Sequence, residues 1–234
     1  MKSYRHLFFD LDRTLWDFDR NSAEMLHEIS DRFGLKEQGV DPDVFIRNYI
    51  EINASMWQAY GLGKVTKGEL RTKRFLNVFD RMGIKNDALA ETIGQYYVEH
   101  CPQKTGLLPH AMEVLEQLKQ RYELHIITNG FDESQSTKLA ASGIRHFFGH
   151  VITSSQSGFK KPAPAMFQWA LEQVGAQADE ALMIGDDLLV DVKGASDVGM
   201  DQVYFNPTKK THNAEVTYEV SCLSQLPEIL YEVN

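Results

Sequence analysis

Phe8-Phe9-Asp10-Leu11-Asp12-Arg13-Thr14 is an apolar run that ends abruptly in two carboxylates and a hydroxyl. Four of the five residues from Leu7 to Leu11 are apolar, which reads as a buried strand. Strand side chains alternate between faces, so Asp10 and Asp12, at i and i+2, point the same way. Two like charges on one side at the end of a buried strand are expensive unless something cationic sits with them. The plainer alternative is a strand that stops in a polar turn. The rest of the chain decides between the two.

Of 234 residues, 43% are hydrophobic and 24% charged, which suits one large domain or two modest ones with a real core. A net charge of −9, without any lysine- or arginine-rich block, argues against a nucleic-acid polymer as partner. It leaves room for a small anionic substrate met through a metal ion. Cys101 and Cys222 form neither a disulfide framework nor a metal-type pair, so reduced thiols are expected. The first residues, Met1-Lys2-Ser3-Tyr4-Arg5, lead directly into the strand with no signal peptide. No apolar run approaches the ~18 residues of a membrane span, and the expected location is the cytoplasm.

From about Trp16 to His100 the periodicity is helical. Asn21 to Ile29 reads as a capped amphipathic helix, and Asp41-Pro42-Asp43 opens another with proline in its first turn. Thr66-Lys67-Gly68-Glu69 resembles a capping box that starts a third through Val78, and Asp87 to Tyr97 forms a fourth. Residues 16–106 are therefore expected to be an all-helical insert. From Gly106 onward, helices alternate with strands at Glu123–Thr128, His150–Thr153, Ala181–Ile184 and Gln202–Phe205. Further helices are expected at Ala111–Gln120, Glu133–Ser142, Pro164–Val174 and around Val190–Asp197. A tail strand (Glu215–Val220) and helix (Leu223–Tyr231) follow. This alternation predicts an α/β domain of residues 1–15 and 107–234, with a mostly parallel sheet covered on both faces. An insert after the first strand would hang over the carboxyl ends of the strands, where open α/β sheets bind ligands.

The other strand ends are polar too. The second ends in Thr128-Asn129-Gly130, the third leads through Ser154-Ser155 to Lys160-Lys161-Pro162, and the fourth runs Gly185-Asp186-Asp187 with Asp191 a turn later. Singly these are ordinary loop residues. Hydroxyl, lysine and acidic cluster arriving in order at one rim of one sheet make chance the poorer explanation.

On these four motifs the chain resembles the haloacid dehalogenase (HAD) superfamily over essentially its whole length, and its insert is similar to the helical caps called C1. Phe8 to Phe18, Ile127 to Phe131 and the stretch Trp57…Arg74-Phe75 resemble more narrowly the YjjG-type pyrimidine 5′-nucleotidases. Arg13 departs from the pattern, standing in a turn where many relatives carry glycine. The resemblance implies a Rossmann-like, doubly wound parallel sheet with an all-helical cap. It also implies a phosphatase acting through an aspartyl-phosphate on a small-molecule phosphate ester, a nucleoside monophosphate.

Charge explains why such chemistry needs these residues. At about 4 Å, each pair of anions repels by roughly 4 kcal/mol at an effective dielectric near 20. Asp10, Asp12 and Asp186 would turn a phosphate away without Mg2+, a hard cation that takes oxygen ligands. The resemblance implies that Asp10 is the nucleophile and Asp12 the general acid and base, its pKa raised by neighbouring negative charge. Magnesium is then held by Asp10, the backbone carbonyl of Asp12, and Asp186, with Asp191, and less clearly Asp187, reaching it through water. Lys161, with Lys160 as the neighbouring alternative, adds a second positive charge. Thr128 and the N–H groups near Asn129 and Gly130 donate to phosphate oxygens.

In the insert, Trp57, Tyr60 and Arg74 are candidates for substrate choice, although such residues more often serve packing. His146 and His150, at i and i+4, lack a third ligand and read as ordinary histidines. Within the fold the alternatives are a sugar-phosphate phosphatase or a phosphomutase; Asp12 argues against a dehalogenase, and no motif around Lys64 or Lys67 supports a phosphonate hydrolase. Outside it stand a signalling receiver domain, which has no such insert, and a non-catalytic binding protein, which would not need the intact acidic set.

Overall fold

The residues of His6–Phe9 (β1) are all buried, and a strand covered on both faces belongs in the middle of a sheet. The computed structural model describes residues 3–233. Met1, Lys2 and Asn234, which the sequence reading places at the ends of the sheet domain, lie outside the described residues. After β1 come α1 (Phe18–Arg32), α2 (Pro42–Gly61), α3 (Lys67–Arg81) and α4 (Asp87–His100). The alternating part follows as α5 (Ala111–Leu118), β2 (Glu123–Thr128), α6 (Asp132–Ala141), β3 (Phe148–Thr153), α7 (Ser154–Ser157), α8 (Pro164–Val174) and β4 (Ala181–Gly185). It closes with α9 (Gly194–Ser196), β5 (Asp201–Phe205), β6 (Tyr218–Val220) and α10 (Leu226–Val233).

Among the described residues the sheet has six parallel strands in the order β3-β2-β1-β4-β5-β6. Phe9, the last residue of β1, pairs with Ile126 on one side and Ile184 on the other. The register therefore brings the carboxyl ends of β1, β2 and β4 to one rim, at the point where the strand order reverses. Beneath the rim, Phe8, Ile127, Ile152, Met166, Phe167 and Met183 form one apolar cluster. No helix among the described residues is long and apolar enough to cross a membrane.

The chain divides into two compact units, one of Met1–Phe18 with Thr105–Asn234 and one of Asp19–Lys104. In the first, the outgoing and returning segments are stitched side by side. Trp16 bridges Leu107, Asp17 N–H donates to the Gly106 carbonyl (3.0 Å), and Leu108 N–H donates to the Leu15 carbonyl (2.9 Å). The second unit is helical for local reasons. Asp41 accepts from the N–H groups of Asp43 and Val44 to cap α2, and Thr66 with Glu69 completes the capping box of α3. Its interior is aromatic, built on Phe45, Tyr49, Phe75, Phe79 and Tyr97.

Several elements differ from the sequence reading: α7 replaces an expected loop, β3 starts earlier, at Phe148, and α10 starts later, at Leu226. The helix expected around Val190–Asp197 is a π-helical turn, Leu188–Lys193, followed by the short α9. The wider turn swings Asp191 back under β4, and π-turns of this sort recur at functional sites. The tail strand shortens to Tyr218–Val220.

His125 gives the sheet an acid sensitivity. Burial first, then His6, His150 and Lys119, push its pKa down to about 3. The unfolded chain takes up a proton near pH ~6.5 that the folded chain refuses, so stability is lost as pH falls below that value towards 3. In urea unfolding, the advantage of wild type over His125→Gln should shrink by about 2 kcal/mol between pH ~6.5 and ~5. A flat difference would show that the folded protein protonates His125.

Candidate active site

Asp10 follows β1 directly, and its N–H donates to the Ile184 carbonyl of β4 at 2.9 Å. That bond fixes its side chain at the rim beside Asp186 and Asp191. One carboxylate oxygen from each of Asp10, Asp186 and Asp191 lies within 4.8 Å of the others. Into this group reaches Lys161, 2% exposed, whose Nζ donates to Asp10 Oδ1 and Asp191 Oδ1, each at 2.6 Å. Burial works against the charge on Lys161, yet Asp10 and Asp191 raise its pKa above the ordinary lysine value. Lys160, the alternative, is not the lysine that makes these bonds.

The carboxylates feel the reverse. Burial pushes Asp10 well above the usual range, and Asp191 and Asp186 add to the shift while Lys161 opposes it. Asp186 is pushed up to about 7 by burial and then by Asp191, with Arg13 pulling the other way. Burial also raises Asp191. Three carboxylates against one buried ammonium leave an excess of negative charge on hard oxygen donors, and that set fits Mg2+. Asp191 is thus a member of the carboxylate group and a direct partner of Lys161. Gly185 makes room for it, since a Cβ there would stand 2.4 Å from Asp191 Oδ2. Asp187 has another task. Its exposed carboxylate accepts from the N–H groups of Leu189 and Val190, both at 2.9 Å, and caps the π-turn.

Asp12 lies in different surroundings. Its Oδ1 accepts from Lys138 Nζ at 2.5 Å and its Oδ2 from Gln135 Nε2 at 2.9 Å. Neighbouring negative charge was expected there, and a buried ammonium is the direct partner instead. The reason is α6, which starts just beyond Gly130 and carries Gln135 and Lys138 three residues apart on one face. Lys138 Nζ also sits 4.4 Å from the Trp16 ring centroid, a cation–π contact. Sequence reasoning missed both residues. The signal was present, because a helix that begins right after a strand-end motif turns its i and i+3 residues toward that motif.

The second motif works mainly by positioning. Thr128 Oγ accepts from Gly130 N–H (3.0 Å) and from Gln135 Nε2 (3.2 Å), so its own proton is left to donate to a ligand. The Gly130 N–H, expected to bind phosphate, is engaged inside the chain by this bond. Gly130 leaves room for Gln135: an added Cβ would fall 1.5 Å from Gln135 Nε2 and push that side chain off Thr128 and Asp12. Asn129 spends its amide on the backbone of Lys161, donating to its carbonyl (2.9 Å) and accepting from its N–H (2.8 Å). Arg13 sits at φ 66°, the left-handed turn conformation that favours glycine, with its guanidinium 4.4 Å above the Phe18 ring. Thr14, the hydroxyl that closes the first motif, donates to Asp186 Oδ1 at 3.3 Å.

In the helical unit, Arg74 is an interior cation. It is 6% exposed, donates to Tyr49 Oη (3.1 Å) and Asn53 Oδ1 (2.9 Å), and stands 5.3 Å from the Tyr97 ring. These partners tie it to the packing of the helices. Trp57 and Tyr60 remain half-buried on α2 with rings 5.7 Å apart, edge to face. His146 and His150 do not pair: the first packs on Phe147 and the second lies beside His125.

Known proteins are similar to this chain in sequence and in fold. HAD-hydrolase YfnB of Bacillus subtilis is 33% identical over 98% of this chain and 97% of its own. A crystal structure of YfnB bound to magnesium superposes with a TM-score of 0.87 over 98% of this chain and 100% of that one, at 31% identity. Pyrimidine 5′-nucleotidase PynA of Streptococcus pneumoniae is 33% identical over 97% of this chain and 95% of its own. Pyrimidine 5′-nucleotidase YjjG of Escherichia coli is 28% identical over 96% of each. The haloacid dehalogenase-like hydrolase pattern matches residues 4–199, from the approach to β1 to just past α9. Four strand ends, each carrying its own polar group to one rim, are held in a single matched frame, and this chain belongs to the haloacid dehalogenase-like hydrolases.

Proposed function

We propose that the chain is a Mg2+-dependent phosphoric monoester hydrolase that acts on nucleoside 5′-monophosphates, pyrimidine ones first, through a phosphoryl group carried on Asp10. The observation that carries this reading is the separation of the first motif's two carboxylates. Asp10 stands among Lys161, Asp186 and Asp191, whereas Asp12 stands on Lys138 and Gln135. Two carboxylates in contrasting environments suit two roles, nucleophile and proton carrier. The substrate class is supported by the relatives PynA and YjjG, both pyrimidine 5′-nucleotidases.

Asp10 and Asp186, with the Asp12 backbone carbonyl and Asp191, would hold magnesium. Bound there, the ion supplies the positive charge that lets a phosphate dianion approach the carboxylates. Lys161 and the Thr128 hydroxyl bind phosphoryl oxygens, and Asn129 holds Lys161 in place. Asp10 Oδ attacks phosphorus and the bond to the ester oxygen breaks, while Asp12 gives that oxygen its proton. Asp12 then takes a proton from water, which attacks the phosphorus on Asp10 and releases phosphate with the Asp10 carboxylate restored. Trp57 and Tyr60 are the candidates for stacking on the base. Lys138 and Gln135 orient Asp12. Lys138→Met should lower kcat about 10- to 100-fold with little change in KM, and Lys138→Arg should recover part of the loss. A KM effect alone would reassign Lys138 to binding.

The test is phosphate release with Mg2+ from UMP, dUMP, TMP, purine monophosphates, sugar phosphates and an aryl phosphate. Release concentrated on the pyrimidine monophosphates supports the reading. Preference for sugar phosphates would overturn the nucleotidase assignment but keep the mechanism, and no release from folded protein would overturn both.

A further inference from the structure

Four residues before the nucleophile, at the other end of β1, a second group of chemistry-bearing side chains comes together. His6 starts β1, while Glu123 and His125 lie on β2 with side chains on one face of the sheet, since His6 pairs with Glu123 and Phe8 with His125. The His6 Nδ1 and His125 Nε2 atoms face each other at 3.2 Å, and Glu123 Oε2 lies 3.9 Å from His6 Nδ1. One donor atom from each of the three falls within 4.8 Å of the others. Nothing in the proposed hydrolysis uses them, and at ~3.3 Å per residue they stand about 13 Å from Asp10 along the strand.

We infer that His6, Glu123 and His125 form a second metal site, specific for a transition ion of the zinc class and distinct from the carboxylate centre. Two imidazoles and one carboxylate are the donor set that zinc, cobalt and nickel prefer, whereas magnesium prefers oxygen alone. The spacing agrees. Nitrogens about 2.05 Å from a tetrahedral ion lie about 3.3 Å apart, close to the separation of the two rings. Glu123 is exposed, so the site opens to solvent on that side, and the fourth position falls to water or to the exposed His150, whose ring is 5.5 Å from that of His125. Bound there, the ion clips the amino-terminal ends of β1 and β2 together. His146 and His150, read from the sequence as ordinary histidines, do not form the pair. Histidines on three neighbouring strands meet across the sheet instead.

Cobalt titration of the metal-free protein tests this, because the two sites differ in colour. A four-coordinate site with two imidazoles absorbs visible light far more strongly than a six-coordinate all-oxygen site, so the carboxylate centre contributes little. Wild type, with excess Mg2+ present to fill the carboxylate centre, should develop the strong band with one equivalent of Co2+ and lose it to Zn2+. Glu123→Gln, a surface change that leaves the sheet intact, should weaken Co2+ binding about tenfold or more, and His6→Asn should abolish the band. Absence of the band in wild type would overturn the site and leave His6 and His125 as a hydrogen-bonded pair. A band unchanged by Glu123→Gln and His6→Asn would overturn it as well, by placing the ion elsewhere.

Discussion

An Asp10→Asn variant is expected to bind phosphate esters and release no phosphate. Asparagine keeps the shape of the side chain and the backbone bond to Ile184, but its amide is no nucleophile. Turnover should fall at least about 10^4-fold, which is about 5.5 kcal/mol of transition-state stabilisation. Folding should survive, because Lys161 retains Asp191 as partner when Asp10 loses its charge. Substrate affinity should hold or improve, since one anion has left a site crowded with them. Steady-state phosphate release gives the rate, and acid quench of a single turnover with labelled substrate shows whether phosphoryl is trapped on the protein. Turnover near the wild-type rate would put the nucleophile elsewhere.

Lys161→Met should damage fold and activity together. Lys161 Nζ is the ammonium bonded to Asp10 and Asp191, both buried, and a methyl in its place strands two carboxylates beside a third. Breaking a buried pair by removing one partner costs about 3–5 kcal/mol, and the lost contact to phosphate should lower kcat about 100- to 1000-fold. The pH dependence has a definite sign. Without the lysine, burial and mutual repulsion keep the carboxylate pKa values raised, so between pH ~4 and ~7 the folded variant holds protons that the unfolded chain has already lost. Its stability therefore falls as pH rises, and the deficit relative to wild type is smaller at pH ~5 than at ~7. Magnesium should recover part of the deficit by supplying positive charge. Urea unfolding at the two pH values, with and without Mg2+, reads all of this, and a deficit insensitive to both would assign Lys161 a packing role only.

Much of the molecule was legible before any fold was known. The apolar run into Asp10 placed the central strand, since four consecutive buried residues ending in charge have few other uses. Local rules also marked helix starts at Asp41 and Thr66, where a side chain caps backbone N–H groups within three residues. What escaped lies where distant segments meet. The π-turn at Leu188–Lys193 follows no local pattern and carries Asp191 under Gly185 into direct contact with Lys161. Arg74 reads from the sequence as a candidate for substrate choice, and only the packed helices show it enclosed by Tyr49, Asn53 and Tyr97.

By itself the sequence determined the α/β alternation, the helical insert and the residues that reach the rim, because hydrophobic period, caps and motif spacing act over a few residues. Tertiary structure alone decided how those residues pair. Asp12 belongs with Lys138, 126 positions away, Lys161 with Asp10, 151 away, and His6 with His125, 119 away. Charge and hydrogen bonding act over a few ångströms of space. Parallel strands bring such partners together only through crossovers, whose register no local pattern records.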